Sequence, residues 1–283
     1  MLKQLWRIAV LVVLSFVALQ LYFLARVALM IVVDPQSTTF QRSEVVRLMT
    51  EKHQILWSQH WVDNAQISGN LKRAVIASED ANFFDHSGVE WDALEKAWEK
   101  NQAAEARVAK INAENEKRAA QLAAREAARE AARAGKKKAA SVPATPPPSP
   151  KPPKPVPHVQ AKIVGGSTIT QQLAKNLFLG SERNIARKGQ EFLITFMLEA
   201  LLDKQRILEI YLNNVEWGEG VFGADAASRH YFHVAAAQLG PSQAARLAVM
   251  LPAPKRFEKK PDSAYVVGRA GTVMARMGAV ELP

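Results

Sequence analysis

There is no cysteine among the 283 residues. That absence excludes a disulfide framework, a thiol nucleophile and a thiolate zinc site, and it accords with an extracytoplasmic enzyme without requiring one. Strand signals are nearly absent as well, so the fold is expected to be mainly α. No GxxxxGK[ST] phosphate loop occurs. Acidic residues are in deficit, with 27 Asp and Glu against 37 Lys and Arg, a formal charge of +10. Residues 100–160 hold 13 of those cations and 5 of the acids, which accounts for 13 − 5 = +8. The excess therefore lies in a biased segment and not on a folded face, and no nucleic acid is expected as a partner. The length admits one large domain or two modest ones.

What the chain does have begins with apolar residues. Ile8 to Ala25 is an uncharged run dominated by Val, Leu, Ala and Phe, and the apolar character resumes from Val27 to Val33 after Arg26. As a helix, residues 8–33 span roughly 39 Å at 1.5 Å per residue, enough for a tilted bilayer. Lys3 and Arg7 precede the run, which puts residues 1–7 in the cytoplasm and the remainder outside. A cleaved signal peptide would carry an apolar core of about 7–15 residues and a small-x-small site. The run is longer, and no such site precedes Asp34-Pro35. Arg26 is expected to snorkel to the outer interface.

Helices are predicted over Glu44–Glu51, Asn70–Ser78 and Trp91–Lys100, with polar and aromatic surface structure from Gln41 to Trp61. Composition then changes. Ala103 to Ala134 is rich in Ala, Glu and Arg and can be helical by propensity, yet has no apolar face to bury. The basic run Lys136–Lys138 follows, and then Pro143–Pro157, which is expected to be extended. Residues 102–160 read as an insertion between the parts of one domain, 34–101 and 161–283. They form either a solvated tether or a contact for anionic lipid, cell-wall polymer or a partner. Globular sequence resumes at Lys162, with helical periodicity over Thr168–Leu179, Ile185–Leu202, Gln205–Asn213, Ala224–Phe232 and Ser242–Leu251.

Three groups of residues bear on chemistry. In Glu79-Asp80-Ala81-Asn82-Phe83-Phe84-Asp85-His86-Ser87-Gly88, two carboxylates end a helix beside aromatic residues whose apolar surface can raise a carboxylate pKa. The alternative is an ordinary polar helix end. In Gly165-Gly166-Ser167-Thr168-Ile169-Thr170-Gln171-Gln172-Leu173-Ala174-Lys175-Asn176, glycines lead into a helix whose free amides can hold an anion. Thr168, Gln172 and Lys175 fall on one stripe of that helix, opposite Ile169, Leu173 and Leu177, which suits a phosphate and sugar hydroxyls. The same residues also fit a Thr168-x-x-Gln171 capping box, and both readings can hold. In Arg187-Lys188-Gly189-Gln190-Glu191, a cation and a carboxylate stand one helical turn apart, either facing a cleft or pairing on the surface.

Together with Lys204-Gln205-Arg206-Ile207-Leu208-Glu209-Ile210-Tyr211-Leu212-Asn213 and the stretch Gly218, Gly220, Gly223, Ala226-Ala227, Tyr231-Phe232, these segments make five motifs in one order. In that order they resemble the family 51 peptidoglycan glycosyltransferases, which include the transferase domains of class A penicillin-binding proteins. The likeness covers nearly the whole chain outside the insertion. No Ser-x-x-Lys acylation motif is present, and the chain ends about 70 residues after the fourth motif, so the likeness is to the monofunctional branch.

The resemblance implies a lysozyme-like helical domain with a smaller membrane-proximal lobe, preceded by one transmembrane helix. It implies that Glu79 is the general base on the acceptor's 4-hydroxyl, and that Glu191 is a second essential carboxylate. His86, Thr168, Gln172, Lys175 and Arg187 match substrate-contacting positions. Asp80, Phe83, Ser167, Gln171, Asn176 and Lys188 stand in the same motifs and are counted with them. The substrates implied are lipid II and the growing lipid-linked glycan. The implied setting is the bacterial inner membrane, with other cell-wall synthesis or division proteins as partners. No cofactor is obligatory. A divalent cation, Mg or Mn, is expected only at the substrate pyrophosphate, since no metal-ligand cluster is legible. Relatives join the first two motifs by a short connection, whereas here roughly 60 residues intervene, at little cost in closure entropy. A glycan-cleaving hydrolase and a non-catalytic cell-wall scaffold are the rival functions.

Overall fold

The computed structural model describes residues 1–138, 159–160, 166–180, 182 and 184–282, and of residues 130–138 the backbone alone. It divides into two units, Met1–Glu90 with Ser167–Pro283, and Trp91–Gly166.

The first unit opens with α1, Leu2–Leu29, long and apolar enough to cross a membrane. Its apolar side chains as far as Leu21 are solvent-exposed. The C-terminal end is different. Phe23, Val27 and Met30 are buried, and Gln20 exchanges two 2.9 Å amide hydrogen bonds with Gln190. The helix stops at Leu29, short of the expected Val33, and Met30 to Val33 form a turn. Pro35 lies just beyond, and a residue preceding proline is driven out of the helical region. Arg206 secures this exit, donating to Met30 O at 2.9 Å and to Asp34 at 2.7 Å. Arg26 turns onto the Tyr22 hydroxyl and over the Phe178 ring.

The rest of the unit is helical around one core. α2 (Thr39–Arg47) starts five residues before the expected helix, because Thr38 and Gln41 form a reciprocal capping box. It runs into a π-helical turn, Leu48–Lys52. α3 (Gly69–Glu79) packs on α9 (Pro241–Met250) and α11 (Ala264–Met277). α5 (Ile169–Phe178) packs on α6 (Ile185–Leu201) and on α7 (Lys204–Asn214). α8 (Ala224–Phe232) and the short α10 (Pro254–Phe257) complete the set. Trp217, Tyr211, Phe83 and Phe222 are the largest side chains in the core.

One small sheet interrupts the helical pattern, with strands β1 (Ser58–Gln59), β2 (Glu216–Gly218) and β3 (Val221–Phe222) in the order β1-β3-β2. β1 pairs parallel to β3, and β2 antiparallel to it. Gly220 turns β2 into β3 at φ +75, and a Cβ there would lie 2.3 Å from the Leu56 carbonyl oxygen. Only glycine lets β1's approach close.

The second unit is dominated by α4, Trp91–Lys138, a single helix of 48 residues. The helix predicted over Trp91–Lys100 thus continues unbroken through the Ala-rich segment. Ala, Glu and Arg are all strong helix formers, so propensity suffices where no apolar face exists. No described side chain from Asn101 to Arg129 is buried. The Asn112 side-chain amide donates to Val159 O at 3.0 Å and accepts from Val159 N–H at 2.9 Å. Pro143–Pro157, Lys162, Gly165 and the side chains of Lys136–Lys138 lie outside the described residues.

Candidate active site

The first motif is held by burial before it and by locks behind it. Leu71, Val75 and Ile76 bury one face of α3, which fixes where its last residue, Glu79, emerges. The turn that follows is anchored by Phe83, fully buried and edge-on to Phe84 at 5.1 Å. Lys204 Nζ lies 4.5 Å from the Phe83 ring and donates to His86 O at 2.7 Å and to Glu199 at 2.9 Å. Gly88 ends the turn at φ +83, where a Cβ would stand 2.7 Å from Thr195 Cγ2 and 2.8 Å from Glu199 Cγ. Its carbonyl accepts from Thr168 Oγ1 at 2.6 Å.

Asp80 joins the first motif to the second. One carboxylate oxygen accepts from the Ile169 amide at 2.9 Å, and the other contacts His86 Nε2 at 2.8 Å. Gly88 N–H donates to His86 Nδ1 at 3.1 Å, which assigns the ring proton to Nε2, facing Asp80. Two of the amides at the start of α5 are therefore not free for a ligand. Ile169 N–H is taken by Asp80, and Gln171 N–H by Thr168 Oγ1 in the capping box. An internal carboxylate occupies the positive end of the helix dipole. Asp80, His86 and Glu90 bring three potential ligand atoms within 4.8 Å of one another. Asp80 and His86 spend those atoms on each other, on Ile169 and on Gly88, and Glu90 accepts from Asn82 at 2.7 Å. These hydrogen bonds tie the trio into the turn that follows α3.

Along α5 the predicted stripe divides. Ile169, Leu173 and Leu177 are buried, while Gln172 and Lys175 face outward. Thr168 leaves the stripe, because as N-cap it is 3% exposed with its hydroxyl committed. Gln172 Nε2 donates to Glu79 Oε2 at 3.1 Å, and Tyr211 OH donates to Gln172 Oε1 at 2.9 Å. Burial raises the pKa of Glu79, and the Asp80 charge adds to it. The Gln172 bond and the charge of Lys175 pull the other way. Lys175 is wetted yet stands in a concave wall, so the protein around it desolvates its ammonium and lowers its pKa. Glu191 opposes this, Arg187 and Lys188 reinforce it, and Glu79 opposes it more weakly.

α6 supplies the third motif. Asn184 caps it, accepting from Arg187 N at 2.7 Å, and Ile194 and Leu198 seat it in the core. Glu191, 3% exposed, receives Arg187 Nη1 at 3.0 Å and pairs with Lys188. Two partly exposed cations thus meet on one buried carboxylate, which is not a surface i,i+4 bridge.

A cleft of about 350 Å³ gathers every predicted residue of the second and third motifs except Thr168. Glu79 reaches it through Gln172. Asp80, Phe83, His86 and Thr168 lie behind it as packed or internally bonded groups. Sequence reasoning missed Phe40 and Ser43 of α2, which also line the cleft. It also gave no role to Glu199 or Tyr211. Tyr211 was visible inside the fourth motif, and the others carried no local signal.

Against known proteins, the family model described as transglycosylase matches residues 47–109 and 157–278. A relative from Paraburkholderia phytofirmans is 42% identical over 96% of this chain and 90% of its own length. One from Herminiimonas arsenicoxydans is 42% identical over 99% of this chain and 98% of its own. One from Cupriavidus metallidurans is 45% identical over 96% and 95%. Each is named a biosynthetic peptidoglycan transglycosylase. With the family match spanning most of the residues and the relatives aligning nearly end to end, the chain belongs to the transglycosylase family, the peptidoglycan glycosyltransferases.

Proposed function

We propose that the cleft polymerises lipid II into β-1,4-linked glycan strands and releases undecaprenyl pyrophosphate, with Glu79 as general base. The Glu79 carboxylate takes the proton of the 4-hydroxyl on the acceptor's N-acetylglucosamine. That oxygen bonds to the anomeric carbon of the growing chain, and the carbon–pyrophosphate bond breaks. Configuration inverts from α to β, and the electron pair departs with the lipid diphosphate. Burial strengthens Glu79 as a base, while Gln172 and Lys175 favour its ionised form.

Lys175, Arg187 and Lys188 stand where the leaving group's charge develops. Lys175 Nζ makes no hydrogen bond or ion pair with any described residue, so its charge is uncommitted. Glu191 holds the other two cations in place. Ser167, Gln171, Gln172 and Asn176 offer hydrogen bonds to sugar and phosphate. Asp80, Phe83, His86 and Thr168 support the turn that carries Glu79. A divalent cation assisting departure would ride on the pyrophosphate oxygens.

The observation that carries this reading is that Gln172 joins the Glu79 carboxylate, at 3.1 Å, to the cleft lined by Lys175, Arg187, Lys188 and Glu191. α1 serves as a single-pass anchor in the inner membrane. Lys3 and Arg7 lie on the cytoplasmic side, and the transferase domain, 34–101 and 161–283, lies outside with the insertion 102–160. Its partners are the growing lipid-linked glycan and other cell-wall synthesis or division proteins.

The test is purified full-length protein in detergent with lipid II. Glycan polymer is expected from the native chain, and none, a loss of at least about a thousandfold, from Glu79→Gln with an unchanged melting temperature. Shortening of pre-formed strands would mark a hydrolase instead. Binding to cell wall with neither reaction would mark a scaffold.

A further inference from the structure

Gln172 is an amide with two different ends, and only one helps the carboxylate beside it. The NH2 end donates, the carbonyl end accepts, and a half-turn of the side chain exchanges them. Facing Glu79 with NH2 stabilises the carboxylate. Facing it with oxygen sets two acceptors against each other. What selects the orientation is the partner at the far end.

That partner is Tyr211. Its ring is locked in the core of α7 at 1% exposure, and its hydroxyl reaches Gln172 Oε1 at 2.9 Å. A phenol in this position acts as a donor. Burial pushes its pKa well above the usual range, and the charges of Glu79 and Asp80 push it further, so its proton stays on. An O–H that donates toward Gln172 calls for an oxygen there, which turns Nε2 toward Glu79 Oε2 at 3.1 Å.

We propose that Tyr211 is a positioning residue for the general base. Its hydroxyl locks the Gln172 amide so that it donates to one oxygen of Glu79, leaving the other oxygen for the acceptor's hydroxyl proton. The inference rests on Glu79 being the base, as proposed above. Without the hydroxyl the amide is free to reverse, and a reversed amide favours the protonated carboxyl. The charged groups that face Glu79 are Asp80 at the end of α3 and Lys175 on α5, while Arg187, Lys188 and Glu191 of α6 act on Lys175. Tyr211→Phe alters none of these, so a change in the titration of Glu79 reports the amide.

The experiment measures kcat and KM for lipid II from pH 5 to 9.5 with the full-length protein in detergent. In Tyr211→Phe the acid limb of kcat is expected to move up by about one pH unit, which is roughly a tenfold loss below the limb. Activity should return at high pH, with KM unchanged. In a Gln172→Met background, where the side chain can neither donate nor reverse, adding Tyr211→Phe should move the limb no further. Melting temperatures verify that both near-isosteric variants fold. A loss that is uniform across pH, or an equal shift in the Gln172→Met background, would reduce Tyr211 to a packing residue. If Glu79→Gln keeps native activity, both this inference and the base assignment fall. If Glu79→Gln is inactive while the limb in Tyr211→Phe stays put, this inference alone falls.

Discussion

Two clusters of charge lie within the same globular unit and are built on opposite plans. In the cluster that ties α2 to β2 and α10, each cation is spent. Arg47 forks to Glu44 at 2.9 Å, Glu51 at 3.0 Å and Glu219 at 2.7 Å. Lys52 closes on Glu219, and Lys255 bridges Glu44 and Glu216, the latter at 3.4 Å. Glu258 takes the Glu219 amide at 2.5 Å. In the cleft, Lys175 contacts no described carboxylate directly, and Glu79 receives only a neutral amide. Charges paired inside the protein fasten elements together. A cation left unpaired on a cleft wall, as Lys175 is, keeps its capacity to act on a substrate.

The largest test of that contrast is Lys175→Met. It should lower kcat by about a hundred- to a thousandfold, the magnitude typical of removing one electrostatic donor from a developing charge. The melting temperature should stay level or rise, because a desolvated ammonium has been replaced by an apolar chain. Turnover at the native rate would make the cleft a second fastening cluster and end the comparison.

Lys255→Met should behave in the reverse way. Removing this cation leaves Glu44 and Glu216, both largely buried, without their shared partner. A stability loss on the order of 2–3 kcal/mol is expected, discounted because the lysine itself is partly exposed. Polymerisation per folded molecule should remain within about twofold of native. Denaturant unfolding and active-site-normalised turnover read the two effects separately.

The same contrast governs what could be read in the sequence. Helices with a buried stripe were legible. Ile169, Leu173 and Leu177 outlined α5 within a residue of its ends, and α8 matches its predicted span, Ala224–Phe232. The first turn of α2 was missed because its buried residues include Gln41 and Glu44, polar side chains whose burial depends on remote partners. The strands are two or three residues long, too short to show alternation. α11 buries Val266, Ala270, Val273 and Met277 at helical spacing, but Gly268 and Gly271 dilute the signal. In the site, motif order singled out candidate side chains but not which way they turn. That Asp80 caps Ile169 across 89 positions, and that Tyr211 meets Gln172 across 39, are outcomes of packing that no local spacing encodes.

The smallest effect concerns Glu216, the strained member of the fastening cluster. Burial, with Glu44 and Glu258 nearby and only Lys255 opposing, raises its pKa from 4.5 to about 7. Between those values the folded state holds a proton that the unfolded chain has released. Stability therefore falls as pH rises through that window, and the full cost is present above it. Glu216→Gln removes the titration. It should leave stability at pH 4 nearly unchanged and raise it at pH 8 by about 1–2 kcal/mol, the pull of Lys255 being already contained in the raised pKa and the linkage discounted for solvent screening. The difference between native and variant unfolding free energies, plotted against pH, should rise across pH 5 to 7 and then level. A flat difference would mean that Lys255 fully compensates Glu216, and that even the strained carboxylate of this cluster is satisfied. A fall above pH 7 would mean that the carboxylate, and not its neutral form, is the fastening species.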